Sequence, residues 1–180
     1  HCVNIADAKL IITGGEQDEA VRSANGLLAG EPKTWTLGGQ EGADLSAALT
    51  AVSDTRPDRS HRAHLKGSDL CLYVYTSGTT GSPKGALHGH RVLTGHLPGV
   101  AISHDMLGQP GDCLWTPADW AWIGGLFDVL MPGLALGIPV VAARLEKFTA
   151  EGCAKIILQA DVRNVFLPPT ALRMLRADGR

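Results

Sequence analysis

Apolar and polar positions alternate along this chain in blocks that switch between two periods. Ala8-Lys9-Leu10-Ile11-Ile12-Thr13 is a short apolar run stopped by Gly14-Gly15, which predicts a strand and its turn. From Asp18 to Leu28 the period lengthens, with Ala20, Val21, Ala24, Leu27 and Leu28 on one side of a predicted helix. Thr34-Trp35-Thr36-Leu37 reads as a second strand closed by Gly38-Gly39, and Leu45 to Val52 as a second amphipathic helix. Strand, helix, strand, helix in that order predicts a parallel sheet with right-handed crossovers.

The pattern then breaks. Residues 53 to 69 carry Asp54, Arg56, Asp58, Arg59, His61, Arg62, His64 and Lys66 with almost no apolar anchor, so they predict a surface connection. It leads to the strand 70–75 and a polar loop. Ala86 to His96 then predicts a helix with Leu87, Val92 and Leu93 inward, whose N-terminus would add its dipole to the loop. Cys113-Leu114-Trp115 predicts a strand. Thr116-Pro117-Ala118-Asp119 has the form of a capping box with proline at the first helical position. Val162 to Leu167 predicts a last strand ended by Pro168-Pro169. Thr170 then caps a final helix presenting Ala171, Leu172, Met174 and Leu175.

Composition narrows the classes. The chain has 180 residues, 44% hydrophobic, with sixteen basic against eighteen acidic residues and a formal net charge of −2. That balance indicates neither disorder nor a nucleic-acid footprint. Cys2, Cys71, Cys113 and Cys153 show no paired or metal-binding spacing and read as buried thiols of a cytoplasmic protein. His88-Gly89-His90 has no third ligand in phase, so no metal site is expected. The 22 residues from Trp122 to Ala143 hold one charge, Asp128, and by length alone nominate a membrane span. Pro132, Pro139 and four glycines predict instead a buried helix followed by the strand Ile138–Ala142.

The chemistry concentrates in Tyr75-Thr76-Ser77-Gly78-Thr79-Thr80-Gly81-Ser82-Pro83-Lys84-Gly85, directly behind the apolar run Leu70–Val74. Glycines let successive N–H groups converge on one point, the hydroxyls add neutral donors, and lysine adds a mobile point charge suited to phosphate. A Walker loop is excluded because Pro83 precedes Lys84 and Gly85 follows it; a dinucleotide fingerprint fails on the glycine spacing. On composition alone, a solvated Ser/Thr/Gly linker is the competing reading. Position by position, however, the eleven residues are similar to the signature loop of the AMP-binding, adenylate-forming superfamily of acyl- and aryl-CoA synthetases, luciferases and peptide-synthetase adenylation domains.

The resemblance implies an α/β fold of three layers, a mostly parallel sheet with flanking helices. It also implies that Thr76, Ser77, Gly78, Thr79, Thr80, Gly81 and Lys84 hold the outer phosphates of ATP, with Mg2+, while a substrate carboxylate attacks the α-phosphorus. A second segment, Trp115 to Leu126, puts three tryptophans within eight residues before Gly124-Gly125. It reads either as a core packed by large rings or as an aromatic wall beside a slot for an apolar group. Ala118–Leu126 resembles the corresponding segment of acetyl- and medium-chain acyl-CoA synthetases. Trp122, Ile123 and Gly124 fall where that family lines its acyl pocket, with Ala121 replacing a glycine. Phe166–Ala171 more faintly resembles the strand-to-helix turn before the family's adenine site.

The resemblance spans the whole chain, densely from Leu70 onward. The family's adenine and Mg2+ segment, its ribose aspartate, and the hinge and lysine of its small C-terminal domain find no counterpart. Residues 1–180 are therefore expected to be part of the large N-terminal domain, with the small C-terminal domain absent, no catalytic residue and no turnover in isolation. The implied reaction joins a short-to-medium carboxylic acid to CoA at the expense of ATP, with no nucleic acid partner and no stable membrane span. A nucleotide-binding fragment without turnover, and a peptide-synthetase adenylation domain, are the alternatives.

Overall fold

The computed structural model describes residues 1–61, 64–76, 81–143, 145 and 147–178. They divide into two compact units, His1–Lys66 with Tyr75–Leu87, and Gly67–Val74 with His88–Arg180.

The first unit opens with a single helical turn, α1 (Cys2–Ile5), then β1 (Leu10–Gly14), α2 (Asp18–Ala24), β2 (Lys33–Leu37), β3 (Ala43–Asp44) and α3 (Leu45–Thr50). The first four expected elements are in place. β1 pairs parallel with β2 from Leu10↔Lys33 to Gly14↔Leu37, and β2 pairs parallel with β3. Asp44 ends the short β3 strand and caps α3, its carboxylate accepting the Ala47 N–H at 3.2 Å. Such a cap satisfies one of the helix's orphan donors. Thr36 is buried, while Leu10, Ile12 and Leu37 are exposed.

Two strands follow, β4 (Leu70–Thr76) and β5 (Lys84–Gly89), which pair with each other. Within the second unit the pairing runs on past the strand ends. His90 N–H donates to the Asp69 carbonyl at 3.0 Å and Arg91 N–H to that of Gly67 at 2.9 Å, an antiparallel arrangement. The helix expected over Ala86–His96 is thus corrected. The chain leaves the loop as a strand and turns helical only at α4 (Val92–Ser103), so the helix does not follow the loop directly in sequence. Leu87, expected inward, is exposed. Strand pairing overrode a sequence with little strand pattern of its own.

The rest of the second unit is layered. β6 (Leu114–Trp115) and β7 (Asn164–Val165) pair parallel, and Val140 bridges Leu114 on its other side. Leu114 N–H donates to Pro139 O at 2.9 Å and Val141 N–H to Leu114 O at 2.8 Å, which leaves a trace of the expected strand Ile138–Ala142. Successive strand residues face opposite ways. Leu114 enters a cluster with Val100 of α4, Val129 of the helical stretch after β6, and Leu107 and Ile138 from the segments that follow them. Trp115 enters another with Cys153 and Ile156 of α7 (Ala150–Gln159), Val162 just after it, and Leu175 of α8 (Pro169–Asp178). Both residues are fully buried. Helices therefore cover both faces of this parallel pair, as the expected α/β architecture requires.

The helical stretch after β6 consists of α5 (Ile123–Gly125), a wider π-type turn over Leu126–Leu130, and α6 (Met131–Leu136). No helix among the described residues is long and apolar enough to cross a membrane. Thr116–Asp119 forms no capping box, because the helix starts at Ile123. Instead Thr116 Oγ1 accepts the Ala118 N–H and Asp119 the Ala121 N–H, two local turns that compete with helix. α8 begins at Pro169, so Thr170 lies inside it rather than capping it. Ala171 is buried and Leu175 packs on the core, but Leu172 and Met174 are exposed.

The thiols also divide. Cys153 is buried, Cys2 and Cys113 are half-buried, and Cys71 is exposed, against the expectation of four buried thiols. Desolvation raises the Cys153 thiol above its ordinary pKa, and desolvation together with Asp161 does the same for Cys113.

Candidate functional site

Of the seven residues expected to grip phosphates, Ser77, Gly78, Thr79 and Thr80 lie outside the described residues. The other three frame the loop in the first unit. Thr76 ends β4, Gly81 follows with φ +87°, and Lys84 opens β5; all three are exposed. At that φ a side chain is strained, so glycine suits the position on conformational grounds. The loop's base is tied to the start of the chain. The Tyr75 hydroxyl donates to the Cys2 carbonyl at 3.2 Å, and His1 Nε2 to the Pro83 carbonyl at 3.2 Å. The Lys84 ammonium takes part in no ion pair among the described residues. An exposed lysine beside a backbone turned through positive φ can meet an anion without first breaking a salt bridge.

Trp122, Ile123 and Gly124 lie in the second unit, at the start of the helical stretch that follows β6. Trp122 is 68% exposed and Ile123 37% exposed. The three tryptophans do not act together: Trp115 belongs to the core, its indole N–H buried with no partner among the described residues, whereas Trp122 faces outward. The core reading of the aromatic segment therefore holds for Trp115.

The two glycines differ as well. A Cβ on Gly125 would stand 2.5 Å from the Asp119 carbonyl oxygen, a backbone atom that cannot step aside, so this glycine permits a close chain crossing. A Cβ on Gly124 would meet Cε1 and Cζ of Phe166 at 3.0 Å. The Phe166 ring, which arrives directly after β7, is thus packed against Gly124. Phe166 was singled out in the sequence only as part of a strand-to-helix turn. Two residues that sequence reasoning missed sit beside them. His96 Nδ1 lies 3.5 Å from Asp128 Oδ1, both side chains about one-third exposed. A lone charge inside an otherwise apolar run was the available signal for Asp128.

Gly124 and Asp128 follow β6 and Phe166 follows β7, so this group gathers beyond the carboxyl ends of a parallel pair. Open α/β sheets place ligands in such a crevice. No cluster of three or more His, Cys, Asp or Glu side chains suited to a metal occurs among the described residues.

Known proteins resemble this chain in sequence and in fold. A family model described as "AMP-binding enzyme" matches residues 1–180. The acetyl-coenzyme A synthetase of Escherichia coli (strain K12) is 30% identical over 144 residues, 78% of this chain and 21% of that protein. Acetyl-coenzyme A synthetase 2 of Debaryomyces hansenii is 34% identical over 119 residues, 64% of this chain and 17% of that protein. The crystal structure of the Brucella canis acyl-CoA synthetase superposes with a TM-score of 0.73 at 30% identity, covering 97% of this chain and 31% of that one. The chain spans about a fifth of the length of these two curated relatives. On the full-length family match, it belongs to the AMP-binding enzyme family.

Proposed function

We propose that residues 1–180 supply part of the large N-terminal domain of an AMP-forming acid–thiol ligase, contributing its triphosphate-gripping loop and one wall of its acyl pocket. In the first half-reaction a carboxylate displaces pyrophosphate from ATP to give an acyl-adenylate. In the second, the CoA thiol displaces AMP to give the thioester. Adenylation turns a poor leaving group into a good one.

The observation that carries this reading is the frame of the loop. Gly81 at positive φ and an exposed Lys84, in no ion pair among the described residues, lie where the chain passes from β4 to its paired strand β5, in a chain whose relatives include acetyl-CoA synthetases. Thr76, Ser77, Gly78, Thr79, Thr80 and Gly81 would surround the outer phosphates, and Lys84 would offset the charge that builds on departing pyrophosphate. Fixed donors aimed at developing charge are usually the largest catalytic contribution. Mg2+, when bound, neutralises phosphate charge. No residue described here is assigned to it, since this ion is commonly held largely by the substrate's own phosphates. Trp122, Ile123 and Gly124 would bound a short-to-medium acyl group.

Pyrophosphate exchange with a panel of carboxylic acids, run on the longest reading frame that contains this segment, tests the proposal. Acid-dependent exchange is expected, with Lys84→Met lowering kcat/KM for ATP roughly ten- to a hundredfold. ATP binding without exchange for any acid would reduce the chain to a nucleotide-binding module. Exchange indifferent to Lys84→Met would remove the loop from the mechanism.

A further inference from the structure

The parallel sheet of the first unit has one covered face and one bare face. Neighbours along a strand face opposite ways, and partners in register face the same way. Leu10 and Ile12 of β1 therefore share a face with Lys33, Trp35 and Leu37 of β2 and Ala43 of β3. Ile11 and Thr13 share the opposite face with Thr34 and Thr36. α2 starts beside that opposite face, because a Cβ on Gly39 would meet both Thr36 Oγ1 and Asp18 Oδ1. Thr36 is buried there. On the first face Leu10, Ile12, Leu37 and Ala43 are exposed and Trp35 is half-buried. Lys33 stands on it at the amino end of β2, exposed and in no ion pair among the described residues.

Parallel sheets are ordinarily covered on both faces by helices, and three aliphatic side chains beside an indole gain free energy when water is removed from them. The longer helices of the second unit are already spent. Val100 of α4 packs in the Leu114 cluster, and Cys153 and Ile156 of α7 with Leu175 of α8 pack in the Trp115 cluster. The matches to two curated relatives take in only 21% and 17% of their length, so a parent of that build carries most of its residues elsewhere. Resting on the reading that residues 1–180 are part of a larger ligase domain, we propose that the face of Leu10, Ile12, Trp35 and Leu37 is the docking surface for an amphipathic helix supplied by the parent chain outside these residues, with a carboxylate of that helix over Lys33. Strands of five residues, at about 3.3 Å each, are covered by roughly three helical turns, on the order of 11 residues. Ile12 is exposed within these 180 residues, so its truncation costs little there. In the parent the same truncation opens a gap beneath the helix.

The test uses the longest reading frame containing this segment. In separate variants p-benzoylphenylalanine replaces Ile12 or Leu37, and the crosslinks formed on irradiation are mapped by mass spectrometry. Both positions are expected to crosslink, within one chain, to a segment outside residues 1–180 whose apolar residues recur at helical spacing and whose end nearest Lys33 carries Asp or Glu. Beside this, Ile12→Cys and Leu37→Cys are labelled with a maleimide. Each is expected to react at least about tenfold more slowly in the native protein than in urea, and these smaller replacements keep the proposal testable if the benzophenone disturbs packing. Labelling as fast as in the unfolded chain at both positions overturns the proposal. So do crosslinks that run only between two copies, which would make the face a dimer contact, or only to residues 67–180. A crosslinked segment without the helical spacing and the acidic end overturns it as well. The expected crosslinks without acid-dependent pyrophosphate exchange would sink the ligase reading and leave the docking face standing. Exchange with both positions freely labelled would do the reverse.

Discussion

Ile12 and Leu114 are both aliphatic residues in parallel strands, yet Ile12 is 61% exposed and Leu114 is fully buried. Local sequence made each a strand; what lies above and below made only one of them core. Around Leu114 the chain supplies Val100, Leu107, Val129 and Ile138 on one face, and Trp115 turns to a second cluster on the other. In the first unit Thr36 is the buried side chain among the described residues, and Leu10, Ile12 and Leu37 remain exposed. Pairing through the backbone holds that sheet's register. Hydrophobic burial holds the second unit, and the loop between β4 and β5 belongs to the first.

The largest effect that tests this contrast is truncation. Leu114→Ala is expected to lower unfolding free energy by roughly 2–5 kcal/mol, because a cavity opens in a packed cluster. Ile12→Ala, at an exposed position, is expected to cost less than about 1 kcal/mol. Urea midpoints of the two variants decide it, and equal losses would mean that burial does not separate the units.

A smaller effect depends on pH. Asp112 is buried at the entrance to β6 and accepts the N–H groups of Gly108 and Gln109, each at 2.8 Å. The Gly108 N–H foremost, helped by Gln109, Arg163 and Asn164 and opposed by desolvation, holds its carboxyl below the ordinary 3.8. Its stabilisation is therefore fully present above that value and lost as pH falls through the lowered one. His104 is also lowered, chiefly by burial, against the pull of Asp112 and Asp128. The folded protein refuses a proton that the unfolded chain accepts, so stability declines as pH falls below 6.5. His104→Gln is expected to flatten the slope of urea midpoint against pH just below neutrality. Asp112→Asn should flatten it only in the acid range, and identical profiles for both variants would discard the assignment.

The smallest effect sharpens the comparison from the other side. Lys84→Met is expected to shift stability by no more than about 0.5 kcal/mol, since the residue is exposed and makes no ion pair among the described residues. Thermal melts check this. A large loss would make Lys84 a structural residue rather than one kept for a ligand.

Much of the fold was legible because it is local. The apolar run to Thr13 stopped at Gly14-Gly15, and the Asp18–Leu28 periodicity, each needed only neighbours in sequence to be read, and β1 and α2 followed. β5 was not legible. Lys84-Gly85-Ala86-Leu87-His88-Gly89 has two glycines and no clean alternation, and it is a strand because β4 offers it a partner. The loop's chemistry could be read from order and residue type. Phe166 beside Gly124 could not, nor could the pairing of His96 with Asp128, 32 positions apart.

By itself, then, the amino-acid order determined the α/β alternation, the family and the donor-rich turn, since dihedral preference, periodicity and hydroxyl content are properties of short segments. Only the tertiary structure decided which tryptophan is core, which strand follows the loop, and which charge stands beside Gly124. Those depend on distances between segments far apart in the chain, and packing, not local preference, sets such distances.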